Sequence, residues 1–286
     1  FFDDNLYPGD YLIDLAKKLK SEFEDQLNLK NESESISFIK TFAVDEMMKI
    51  IKNDLSSMKI TMDNFFSEKS LYTSGKIEKA IDRLEEKGLI YQGFLEKPKG
   101  KIIEDWESRE QTLFKSTEYG DDIDRPIKKS DGGWTYFAPD IAYHFDKIER
   151  GYKIIIDIFG ADHSGYVKRM NAAVSALSDG KVEFSIKLCQ LVNLFKDGKP
   201  YKMSKRLGSY ITIKDVIDEV GADSVRFMML TRRNDAHIDF DFKQVLNMSK
   251  DNPVFYVQYA HARCSSIIEK STSSNYQNLN DNDIDR

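Results

Sequence analysis

Cysteine, histidine and proline are scarce in this sequence, at two, four and six residues in 286. Cys189 and Cys264 stand too far apart for a disulfide framework, and no Cys/His spacing suits zinc. No apolar run approaches the ~20 residues of a membrane helix. The densest run, residues 152–159, is interrupted by Lys153 and Asp157. No charged-then-apolar leader opens the sequence, so a reducing cytoplasm is the expected compartment. Gly-x-Ser-x-Gly is absent, which excludes a hydrolase nucleophile elbow, and so is any calcium-loop pattern. A basic surplus is lacking too: 42 Lys and Arg against 48 Asp and Glu give a net charge of −6. A generic nucleic-acid coat is excluded, and any nucleic-acid contact must come from a local patch. The sequence opens on Phe1 rather than Met, and residues 271–286 are polar, so a segment of a longer protein is expected.

What is present supports a folded core, since 41% of the residues are apolar. Apolar spacing predicts helices over residues 12–29 and 36–58, joined by a polar link at 31–35, then a strand over 60–66. A charged helix follows over 76–87, closed by Gly88. Residues 89–95 and 100–104 read as a hairpin about Pro98-Lys99-Gly100, and 132–137 as a strand. Pro139 opens a helix that Gly151 stops. A strand over 153–159, buried on both faces, a helix over 165–177 and a strand over 183–191 come next. From Thr212 the chain turns helical, over 215–220, 223–231 and 242–270. Strands alternating with helices predict an α/β fold with a parallel sheet, followed by an all-helical segment.

Chemistry concentrates in three places. Lys202-Met203-Ser204-Lys205-Arg206 lies between a turn at 197–200 and Gly208. Two lysines, an arginine and a hydroxyl on such a loop can close over a polyphosphate. Tyr136 and Asp140 are four apart where a predicted strand meets a helix, a favoured place for ligands in α/β sheets. A carboxylate there can take a guanidinium bidentately beside a tyrosine ring. The same pair reads equally as a core tyrosine and a capping aspartate. Gly160-Ala161-Asp162-His163 follows the predicted strand 153–159. Gly160 permits close backbone approach, and Asp162 can accept from ribose hydroxyls or an ammonium, or can form an Asx turn. Glu68 by itself reads as a surface acid. His144 reads as packed on its helix, His237 as exposed in a polar loop and His261 as helical.

The lysine loop resembles the signature loop of class I aminoacyl-tRNA synthetases. Further segments narrow the resemblance to the arginyl-tRNA synthetases. These are Tyr7-Pro8-Gly9-Asp10-Tyr11-Leu12, the stretch from Asp131-Gly132-Gly133-Trp134 to Ala142-Tyr143-His144, Gly160-Ala161-Asp162-His163-Ser164-Gly165-Tyr166, and Asn252-Pro253-Val254 onward to Arg263. The resemblance implies a doubly wound, Rossmann-like catalytic domain over 1–211, a stem-contact-like helical region over 212–250 and the start of a helical anticodon-binding domain over 251–286. It implies ATP-dependent activation of arginine and transfer to tRNA(Arg), with Mg²⁺ held by the phosphates, in a cytoplasmic monomer. Lys202, Ser204, Lys205 and Arg206 would be catalytic. Glu68, Tyr136, Asp140 and His163 would bind arginine, and Gly160, Asp162, His163, Met203 and Lys205 would bind ATP. A second class I signature, His-x-Gly-His, does not occur in these residues; His163-Ser164-Gly165-Tyr166 is a near miss. The 286 residues alone are therefore expected to be inactive. A cysteine-type synthetase would need thiolate zinc ligands that are absent. The reading outside enzymology is a synthetase-derived module that binds tRNA or an amino acid.

Overall fold

The computed structural model describes residues 9, 11–28, 31–95, 109–201, 211–249 and 252–273. They fall into two compact units, one of residues 63–191 with 234–236, the other of the remainder. Two helices lead the chain. α1 (Tyr11–Asn28) turns Leu15 and Leu19 inward, and α2 (Glu32–Ser57) sets Phe38 and Phe42 edge-on against Phe23. Asn31 caps α2 by accepting the Glu34 N–H at 2.9 Å, so the helix begins inside the polar segment expected as a link.

The unit that holds the candidate site runs from α3 (Glu68–Thr73) and α4 (Lys76–Glu85) through the antiparallel strands β1 (Ile90–Gly93), β2 (Gln111–Phe114) and β3 (Arg125–Pro126). It continues with α5 (Phe137–Glu149), β4 (Ile154–Gly160), a 3-10 turn at Ala161–Tyr166, α6 (Val167–Ser178) and β5 (Glu183–Cys189). β4 and β5 pair in parallel from Ile154 opposite Glu183 to Gly160 opposite Cys189, the arrangement that a helical crossover such as α6 permits. Ile77, Ala80, Ile81 and Leu84 make one buried face of α4 at helical spacing. They pack with Ile141 and Ala142 of α5, Met170 and Ala173 of α6, and Phe114 and Ile127.

In the second unit, β6 (Val192–Lys196) runs antiparallel to β7 (Lys199–Pro200). The helices α7 (Ile213–Val220) and α8 (Ala222–Leu230) follow, with Thr212 and Asp215 closing a capping box at the start of α7. β8 (Ile238–Asp241) then pairs with β6 in parallel. α9 (Phe242–Leu246) and α10 (Pro253–Ser273) end the described chain. Met58, Val216, Val225, Phe240 and Phe242 make this unit's core. The α/β class, the parallel pairing and the helical C-terminal segment are those expected from the sequence.

Several elements differ from expectation, each for a physical reason. Residues 60–66 form no strand: α2 ends in a left-handed Lys59 (φ 55°), Ile60 packs into one core and Phe66 into the other. Their alternation serves two cores, not one sheet face. Residues 132–137 form a turn with a single bridge from Lys128 to Trp134, and Phe137 already opens α5. Gly132 there takes φ 83°, a value that breaks extension. β1 pairs with 111–114, not with 100–104, which lie outside the described residues. β4 is buried on one face only; Ile154, Ile156 and Ile158 are 60, 56 and 72% exposed. The single helix expected over 242–270 is broken before Pro253, whose ring disfavours helical geometry at Asn252 and suits a first helical position. The short strands β6 and β8 were not expected.

Candidate functional site

The first turn of α5 is largely buried. Asp140 follows the buried Phe137-Ala138-Pro139 and is itself half-buried, so its carboxyl is taken largely out of water. Burial pushes Asp140 up to about 6. Among its neighbours, the charges of His144 and Lys147 oppose that rise, and those of Glu68 and Asp157 add to it. An acid in such a setting gains most when a cation shares its recess.

The surroundings of Asp140 are acidic and aromatic. Glu68 is the first residue of α3, not a residue following a strand as its sequence context suggested. Tyr72, one helical turn on, is raised above its ordinary range first by burial and then by the charges of Glu68 and Asp140, with Tyr136 also facing it. Tyr136 is 78% exposed, with Lys129 Nζ 5.3 Å from its ring centre. Tyr166 faces both the Asp140 carboxyl and the Arg169 guanidinium, the latter 4.6 Å over its ring. Burial first, and then Asp140, raise the Tyr166 hydroxyl above its ordinary range. Glu68, Tyr136 and Asp140 all lie within electrostatic reach of Tyr72.

His163 joins this group less directly. It sits on the 3-10 turn after β4, its ring 6.3 Å from that of Tyr166 and 6.1 Å from that of Phe159. It pairs with Asp162 at 3.7 Å, both side chains well exposed. Gly160 ends β4 in extended geometry, and a side chain added there would meet Asp162. The turn therefore presents Gly160, Asp162 and His163 at the C-terminal end of a parallel strand, where α/β folds bind ligands. Lys202, Met203, Ser204, Lys205 and Arg206 lie outside the described residues.

Beneath the recess lies a buried polar pair that the sequence reading passed over. His144, read as merely packed, is 5% exposed and bonded at both ring nitrogens. Nδ1 lies 2.8 Å from the Asp140 carbonyl oxygen and Nε2 2.8 Å from Asp157 Oδ2. Lys147 donates to Asp157 Oδ1 at 3.1 Å. Burial would raise Asp157, but the hydrogen bond and charge of His144, then Lys147, outweigh it and hold the carboxyl below its ordinary range. The signal was present: Asp157 is a lone charge in an apolar strand, and Asp140, His144 and Lys147 share one face of a helix. Tyr72 and Tyr166 carried no such mark. Among the described residues, no group of three or more His, Cys, Asp or Glu could hold a metal ion, and no helix is long and apolar enough to cross a membrane.

With this geometry in place, comparison with known proteins is informative. Residues 142–241 match the family described as tRNA synthetases class I (I, L, M and V). An arginine–tRNA ligase of Ruegeria pomeroyi is 61% identical over 96% of this chain and 47% of its own length, and one of Roseobacter denitrificans 62% over the same shares. The chain thus spans about half the length of the curated relatives it matches. A solved structure titled as a putative arginyl-tRNA synthetase from Campylobacter jejuni superposes with a TM-score of 0.79 at 34% identity, covering 98% of this chain and 59% of that one. Thermus thermophilus arginyl-tRNA synthetase shares the fold, with a TM-score of 0.63 at 17% identity. In sequence and in fold, then, the chain is similar to arginine–tRNA ligases over about half of their length.

Proposed function

We propose that the recess around Asp140 reads the guanidinium of arginine for an arginine–tRNA ligase: ATP-dependent formation of arginyl-adenylate, then transfer of arginine to the 3′ end of tRNA(Arg). The observation that carries this reading is a desolvated carboxyl at the start of α5, flanked by Glu68 and walled by Tyr72, Tyr136 and Tyr166. Asp140 and Glu68 take the planar cation, Tyr136 covers it, and His163 lies beside the amino-acid end. Gly160 and Asp162, with His163, meet the adenylate ribose. Lys202, Ser204, Lys205 and Arg206 steady the ATP phosphates, Met203 lies with them against the nucleotide, and Mg²⁺ is held by the phosphates. Residues 1–211 belong to the catalytic domain, 212–250 to a stem-contacting region and 251–286 to the opening of the anticodon-binding domain. The full-length protein is a cytoplasmic monomer.

The test is arginine-dependent ATP–pyrophosphate exchange by the full-length protein carrying Asp140→Asn. A lost charged hydrogen bond of about 1.5–3 kcal/mol corresponds to a rise of roughly 10- to 150-fold in KM for arginine, with KM for ATP spared. Unchanged arginine kinetics would remove Asp140 from the pocket.

A further inference from the structure

His144 is a buried titratable group to which the proposed reaction gives no part. Its two hydrogen-bond partners, the Asp140 carbonyl and the Asp157 carboxylate, are both acceptors. With the Asp157 carboxyl held ionised, a ring with one bare nitrogen would set a lone pair against one of those oxygens at 2.8 Å, so satisfying both calls for a hydrogen on each nitrogen. Phe184 closes the ring edge-on at 5.3 Å, and Tyr143 lies beside it. The ring is thus fixed one helical turn below Asp140 and shielded from solvent.

We propose that His144, held as an imidazolium between the Asp140 carbonyl and Asp157, is a positioning residue for the guanidinium site: it fixes the first turn of α5 and supplies the positive charge against which the Asp140 carboxylate forms. The proposal rests on the reading of Asp140 as the arginine-binding carboxylate. The other groups facing Asp140 are Lys147 on its own helix, Glu68 and Tyr72 of α3, Asp157 of β4 and Tyr166 before α6. Lys76 and Lys79 of α4 are engaged elsewhere, with Asp146 and Glu149. Lys147 is shared with Asp157, and its side chain also lies 4.4 Å over the Tyr143 ring. His144 is therefore the cation most closely tied to Asp140, and its influence on that carboxyl exceeds that of Lys147.

The test is the pH profile of arginine activation in the full-length protein. Asp140 must be ionised to take a guanidinium, so KM for arginine rises as pH falls through about 6. His144→Gln keeps a polar side chain and removes the charge. It should move this acid limb up by about one pH unit, a roughly fivefold higher KM for arginine at pH 6, with kcat and KM for ATP unchanged. A residue with a merely structural role would lower kcat or stability and leave the limb in place, and that result overturns the proposal. Asp140→Asn run beside it separates the two claims. If it leaves arginine kinetics unchanged, the reading of the pocket itself falls. If it abolishes the limb while His144→Gln does not move it, only the role of His144 falls. Should His144→Gln fail to fold, NMR of the ¹⁵N-histidine-labelled wild type at pH 6 decides. Hydrogens on both His144 ring nitrogens support the proposal, and one bare nitrogen overturns it.

Discussion

Asp140 shows what a desolvated carboxyl costs the fold that holds it. Its carboxyl is raised from 3.8 to about 6, so the folded protein disfavours the ionised form and binds a proton more tightly than the unfolded chain. For a carboxyl shifted in this direction, stability falls as pH rises through 3.8 and toward 6, then levels. Asp140→Asn, which never ionises, should therefore be more thermostable than wild type at pH 7, with the difference growing from pH 4 to 6 and flat above. Thermal melts across that range check it; a constant difference would show that Asp140 is well solvated. From spacing alone, Tyr136 and Asp140 read equally as a core tyrosine and a capping aspartate, and only the family resemblance singled them out. Glu68 was legible only through family resemblance, since an acid opening a short helix looks like any other surface acid. Tyr72 and Tyr166 were not legible, because what brings them to Asp140 is the packing of α3 and α6 around α5.

At the scale of elements, the long amphipathic helices were readable in sequence, and the short strands were not. β6 and β8 each have five residues or fewer and alternate too briefly to stand out from loop. The break that Pro253 imposes between α9 and α10 is held by one side chain. Buried Asn252 donates to the carbonyls of Val245 at 2.8 Å and Asn247 at 2.7 Å, and accepts the Val254 N–H at 3.0 Å. Asn252→Ala leaves one buried acceptor, one partly buried acceptor and one helix-end donor unmet, a loss of about 2–3 kcal/mol. Asn252→Asp restores the cap but sets a carboxylate against two carbonyls, so it should fare no better. Denaturant melts of the three proteins check this, and rescue by Asp would assign the stabilisation to the cap alone.

For the molecule as a whole, assembly of a nucleotide site across a parallel sheet demands positioned groups from both sides of it. A polypeptide of residues 1–286 contains no His-x-Gly-His, and it should give no arginine-dependent ATP–pyrophosphate exchange, with or without tRNA. Exchange at the rate of the full-length protein would sink that expectation. The one-sided burial of β4 bears on how the chain selects its fold at all. Isoleucines occupy both faces of this strand, Ile155 inward and Ile154, Ile156 and Ile158 outward. A slip of one position would exchange the faces at little hydrophobic penalty. It would also swing Asp157 into solvent and strip His144 of its partner. Greasiness is therefore blind to the correct alignment of β4, and the buried Asp157 with its partners His144 and Lys147 tells the native arrangement from its nearest counterfeit.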